Sequence, residues 1–101
     1  MKKNLIIFLV LLFSTPLFAD DKMNLGLEVF NNKAQCGTCH ALKASGSSGE
    51  IGPNLDMLKP QIAQTIYAVK NGIGVMPPWE GILTTEEIEA VAYYIFNSTK
   101  E

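Results

Sequence analysis

Both cysteines and the only histidine of this 101-residue chain fall within one five-residue run, Cys36-Gly37-Thr38-Cys39-His40. A chain of this length has too much surface for its volume to divide into two cores, so it folds as one domain at most. A domain of about 80 residues has a marginal core and commonly needs disulfides, a metal or a cofactor to complete it. Whatever staple is used here must be built from that run.

Three chemistries use a Cys-x-x-Cys pair. A redox-active disulfide requires it after a strand and at the start of a helix, and no segment alternates with period two over a strand's length. A structural zinc site needs four ligands; Cys36, Cys39 and His40 make three. Covalent haem attachment needs two thiols spaced for the two vinyl groups and an imidazole directly after the second, to meet the iron from the same side. The run supplies all of these, so the expected cofactor is haem c, one per chain, with Cys36 and Cys39 as thioethers and His40 on the iron. An exposed disulfide or a zinc site predicts instead a colourless protein without the mass of a haem.

The iron then needs a sixth group, and Met57 and Met76 follow in sequence. Met76 lies in Asn71-Gly72-Ile73-Gly74-Val75-Met76-Pro77-Pro78-Trp79, where glycines let the chain turn and prolines then lock it. Thioether ligation also suits a c-type haem, so Met76 is the expected ligand. Met57, in Asn54-Leu55-Asp56-Met57-Leu58, has no such scaffold and reads as core filler. Tyr67 and Trp79 are candidates to line the haem pocket, with plain packing as their alternative.

The first nineteen residues read as a cleaved export signal. Lys2 and Lys3 precede an apolar run from Leu5 to Phe13, and Leu17-Phe18-Ala19 supplies a cut after Ala19. The apolar run is short of the ~20 residues that span a bilayer. The domain is then 20–101, with six lysines against ten acids and a net charge of −4. Phe30 to Trp79 carries +2 and the flanks −6, so Lys33, Lys43, Lys59 and Lys70 are expected to ring the haem edge and face an acidic partner. With no arginine and no basic run, nucleic acid is not an expected partner.

Spacing predicts short helices. Leu25, Leu27, Val29 and Phe30 place one over Asn24 to Asn31, where Gly26 has a reason only if another helix crosses closely. A second is expected from Pro60 to Lys70, ended by Asn71-Gly72. A third follows Thr84-Thr85-Glu86-Glu87, a capping box, with Ile88, Val91, Ala92 and Ile95 on one face. Ala44 to Gly49 reads as a flexible loop.

Together the Gly26-x-x-x-Phe30 helix, Cys36 to His40, Gly52-Pro53-Asn54-Leu55, Met76-Pro77-Pro78-Trp79 and the Thr84 to Tyr94 helix resemble a small class I, single-haem bacterial cytochrome c. The resemblance implies an all-α fold of three to five short helices wrapped around one covalent haem, its first and last helices crossing near Gly26, Phe30 and Tyr94. It implies that the Pro53 carbonyl accepts the ring N–H of His40. It also implies a periplasmic one-electron carrier rather than an enzyme, a monomer or small subunit of a complex, reaching membranes only through partners. Those partners would be a dehydrogenase, an oxidase or a quinol-oxidising complex. If Met76 is not a ligand, the alternative is a five-coordinate haem that binds gases or reacts with peroxide; a permanent dehydrogenase subunit is a further alternative.

Overall fold

Thr84 starts the longest helix among the described residues as its sequence requires. In the computed structural model, which describes residues 18–101, Thr84 Oγ1 accepts the Glu87 N–H at 3.1 Å and Glu87 Oε1 accepts the Thr84 N–H at 2.8 Å. Two backbone donors that the first helical turn would leave without partners are satisfied reciprocally. The helices are α1 (Phe18–Glu28), α2 (Leu55–Leu58), α3 (Ile62–Asn71) and α4 (Thr85–Thr99). A π-helical turn, Val29–Lys33, continues α1, and Cys36–Thr38 forms a single 3₁₀ turn. Two short strands, β1 (Ala41–Leu42) and β2 (Ser47–Ser48), pair antiparallel, Ala41 opposite Ser48 and Leu42 opposite Ser47.

The core lies where α1 and the π turn meet α4. Val29, Phe30, Leu42, Leu55, Val69, Leu83, Ile88, Val91, Tyr94 and Ile95 form one buried cluster. The Phe30 and Tyr94 rings pack tilted, 6.0 Å between centroids. Gly26 permits the crossing: a Cβ there would overlap the Ala90 carbonyl oxygen and lie 2.5 Å from Tyr94 Cβ. Flanking the crossing, Lys22 sits over the Tyr93 ring, 5.1 Å from its centroid, and Lys33 bonds Glu87.

The structure departs from the sequence reading in four places. First, α1 is already helical at Phe18, upstream of the expected Asn24; apolar spacing alone does not register the additional turns. Next, α3 begins at Ile62 rather than Pro60, because Gln61 is extended (φ −72°, ψ 156°) and acts as its cap, with Gln64 Oε1 accepting the Gln61 N–H at 3.3 Å. The expected flexible loop is instead a tight hairpin with Gly46 at φ 66° between the two strands, braced by a hydroxyl pair, Ser45 Oγ to Tyr94 Oη at 2.6 Å. Finally, α2 was not anticipated; Asn54 Oδ1 caps it by accepting the Met57 N–H at 3.2 Å. The expected export segment lies outside the described residues up to residue 17. Among the described residues no helix is long and apolar enough to cross a membrane.

Gly26→Ala should lower thermal stability. The helix-propensity gain of ~1 kcal/mol is smaller than an overpacking cost of about 1–3 kcal/mol, and calorimetry would show a lower Tm. Glu87 predicts a pH dependence. The Lys33 ammonium, then the Thr84 N–H, hold its carboxyl below the ordinary range. Its contribution is therefore complete above the unfolded carboxylate pKa and is lost as pH falls through the lower folded value. Denaturant unfolding of Glu87→Gln should converge with wild type in acid and diverge toward neutrality.

Candidate functional site

A single 3₁₀ turn brings Cys36, Cys39 and His40 onto one short arc. Gln35 enters it in the left-handed conformation (φ 50°), the Cys39 and His40 N–H groups both donate to the Cys36 carbonyl (3.1 and 2.9 Å), and Gly52 N–H donates to the Cys39 carbonyl at 2.7 Å. Both thiols are free and half-buried. Burial pushes the Cys36 thiol up to about 11, the reverse of the lowered value that activates a redox dithiol. No group of three or more His, Cys, Asp or Glu among the described residues is placed to hold a metal.

The His40 ring is fixed from two sides. Its Nδ1 lies 2.7 Å from the Pro53 carbonyl oxygen. A carbonyl only accepts, so the proton is on Nδ1 and the Nε2 lone pair is left for a metal. On the other side, a Cβ on Gly52 would come within 2.5 Å of His40 Cε1 and 2.9 Å of Nε2, so the loop backbone lies directly against the imidazole. Ser47 Oγ donates to the His40 carbonyl at 2.9 Å.

Met76 sits in a loop bolted to the end of α3. Ile73 and Met76 exchange backbone hydrogen bonds (3.1 and 2.9 Å) around Gly74 at φ 57°, the pattern of a II′ turn. Gly72, at φ 75°, has no room for a Cβ against the Met76 carbonyl and Pro78 nitrogen, and Trp79 N–H donates to the Val69 carbonyl at 2.8 Å. Met76 and Trp79 are partly buried against the core, whereas Met57 is 81% exposed. Tyr67 stands on α3, 66% exposed. Ile51 beside Gly52, Leu58 on α2, Tyr67 on α3 and Ile73 in the Met76 loop are all exposed.

Three of the four lysines expected around the haem edge have partners within the chain. Lys33 bonds Glu87, Lys59 Nζ donates to the Thr99 and Glu101 carbonyls (3.0 and 2.8 Å), and Lys70 faces Glu80 at 3.7 Å. Of the four, Lys43 alone has no side-chain partner among the described residues. Sequence reasoning missed Gly49, where a Cβ would lie 2.6 Å from the Thr38 carbonyl oxygen, and Asp56, whose carboxylate accepts the Lys43 N–H at 2.9 Å. Only the spacing of these residues from the cysteines could have pointed to them.

Comparisons with known proteins agree on the kind of molecule. A family described as cytochrome C oxidase, cbb3-type, subunit III matches residues 21–95. The chain is 34% identical over 87 residues to chloroplastic cytochrome c6 of Chlamydomonas reinhardtii, covering 76% of this chain and 55% of that protein. It is also 34% identical over 83 residues to cytochrome c6 of Tetradesmus obliquus, covering 72% of this chain and 86% of that one. The crystal structure of the c-type cytochrome SorU from Sinorhizobium meliloti superposes with a TM-score of 0.76 at 46% identity, covering 81% of this chain and 95% of that one. Cys36 to His40 supply the motif by which that family holds its cofactor, and the chain belongs to the c-type cytochromes, electron-transfer proteins with a covalently attached haem.

Proposed function

We propose that the chain, from residue 20 onward, is a periplasmic one-electron carrier in which Cys36 and Cys39 hold the haem while His40 and Met76 provide the two axial ligands. The orientation of His40 carries this reading. Its proton is committed to the Pro53 carbonyl and its ring is pressed by Gly52, so only Nε2 is left to coordinate. When bound, the haem supplies an iron that accepts and releases a single electron between ferric and ferrous states.

The remaining work is done by the chain. The bond to Pro53 makes the imidazole a stronger donor and keeps it from rotating. The Gly72 to Trp79 loop, closed by backbone bonds at both ends, presents a thioether, which favours the reduced state and raises the potential. If His40 and Met76 both hold the iron, no position would be open to a substrate, which fits a carrier rather than a catalyst. The exposure of Met57 leaves Met76 as the methionine after His40 that packs against the core. The cytochromes c6 and SorU support a role between redox proteins. A dehydrogenase, an oxidase or a quinol-oxidising complex is the class of partner that such a domain serves.

Three variants test the ligand set. In Met76→Ala the sulfur-to-iron charge-transfer band should vanish and carbon monoxide should bind the ferrous protein promptly; Met57→Ala should change neither. Persistence of the band in Met76→Ala would transfer the ligand role to Met57. In Gly52→Ala the added methyl displaces the imidazole, and the yield of haem-bearing protein should fall severalfold.

A further inference from the structure

The carbonyl that holds the His40 proton belongs to a stretch of chain stitched to the histidine's own stretch on both sides of that bond. Upstream, the Gly52 N–H donates to the Cys39 carbonyl at 2.7 Å. Downstream, the Lys43 N–H donates to Asp56 Oδ2 at 2.9 Å. Between the two, the Pro53 carbonyl oxygen lies 2.7 Å from His40 Nδ1. Each of the three bonds joins residues 13 apart, so the two stretches lie side by side in one register.

The outer stitches differ in what they ask of the sequence. Gly52 to Cys39 is backbone to backbone, whereas the downstream stitch depends on one side chain. The Lys43 N–H opens the 3₁₀ turn Lys43–Ser45, and the residue before it, Leu42, is extended (φ −154°, ψ 114°) and offers no side-chain cap. A donor at the start of such a turn has no partner within it, and the Asp56 carboxylate reaches across from α2 to provide one. A bond to a charged acceptor is shorter and stronger than one to a neutral acceptor. Asp56 is well placed to transmit position: its neighbour Leu55 is buried in the core, Asn54 caps the same helix, and Pro53 directly precedes that cap. Hydrogen bonds weaken steeply as their geometry opens, so the hold of the Pro53 carbonyl on Nδ1 depends on both stitches.

We propose that Asp56 is a positioning residue: by accepting the Lys43 N–H it keeps the Pro53 carbonyl against His40 Nδ1, and so sets how strongly Nε2 donates to an iron. This rests on the reading of His40 as an axial ligand. An imidazole whose Nδ1 proton is firmly held is the more basic ligand, and a more basic ligand favours the ferric state. Loosening the carbonyl therefore raises the potential.

The reduction potential of the holoprotein, together with the exchange rate of the His40 Nδ1 proton followed by NMR in the ferrous state, tests it. Asp56→Ala should speed that exchange about tenfold, as expected when one hydrogen bond restraining the opening is lost. It should also shift the ferric–ferrous equilibrium about threefold toward the reduced form, ~30 mV at ~59 mV per tenfold for one electron. Asp56→Asn loses the charge but keeps an acceptor for the Lys43 N–H, and should stay close to wild type in both readouts. Glu50 lines the same surface hollow as Asp56 and makes none of the three bonds, so Glu50→Gln should change neither. A shift in Asp56→Asn as large as in Asp56→Ala would assign the effect to charge alone and overturn the proposal. Unaltered exchange and potential in Asp56→Ala, with only a lower denaturant midpoint, would reduce Asp56 to a structural tie and overturn it as well. Lys43 is exposed, so in Asp56→Ala its N–H turns to water and the fold survives. Failure of the underlying ligand reading looks different: ferrous wild type itself would then show no His40 ring protons displaced by the haem ring current.

Discussion

Everything in this domain is referred to the place where α1 and α4 touch backbone against backbone. Because Gly26 brings nothing but hydrogen to the Ala90 carbonyl, the two helices approach closely enough for Phe30 to reach Tyr94. That contact fixes the π turn, and the π turn fixes where Cys36 starts. The same Tyr94 then uses its hydroxyl to hold Ser45 and the hairpin behind the motif. From its first turn, α4 holds Lys33. One helix thus serves as the frame from which both the attachment turn and the methionine loop are hung. A bulkier residue at position 26 would shift the frame, and the error would reach the site.

What the sequence made legible is what local chemistry dictates. The thiol pair with its adjoining imidazole, the Thr84 capping box and the glycine-then-proline loop around Met76 each follow from a few neighbouring residues, and each stands where expected. The unread parts need information that local pattern does not hold. A four-residue helix such as α2 is too short for apolar periodicity, and only the Asn54 cap betrays it. Strands of two residues cannot alternate, so Ala44 to Gly49 looked like a loop. The partners of Lys33 and Lys59 lie 54 and 40 residues or more away, and no reading of nearby residues shows which lysine is already engaged.

The site shows the same division. His40 was legible as a ligand because it adjoins Cys39. The reason its ring faces one way is not contained in the motif at all. It lies in a carbonyl at position 53 and in an absent side chain at position 52, supplied by a segment that returns after the hairpin. The motif names the candidate atoms, and the returning loop decides how the ring is held.

The engaged lysines have one more consequence. An ammonium paired with a carboxylate adds little to the field felt at a distance, because the pair carries no net charge. With Lys33 and Lys70 facing Glu87 and Glu80, the +2 of the central segment is matched by two of the flank carboxylates. A protein approaching from a distance meets the uncompensated carboxylates of the flanks first. Orientation on encounter is therefore biased by where acid is concentrated rather than by the central lysines.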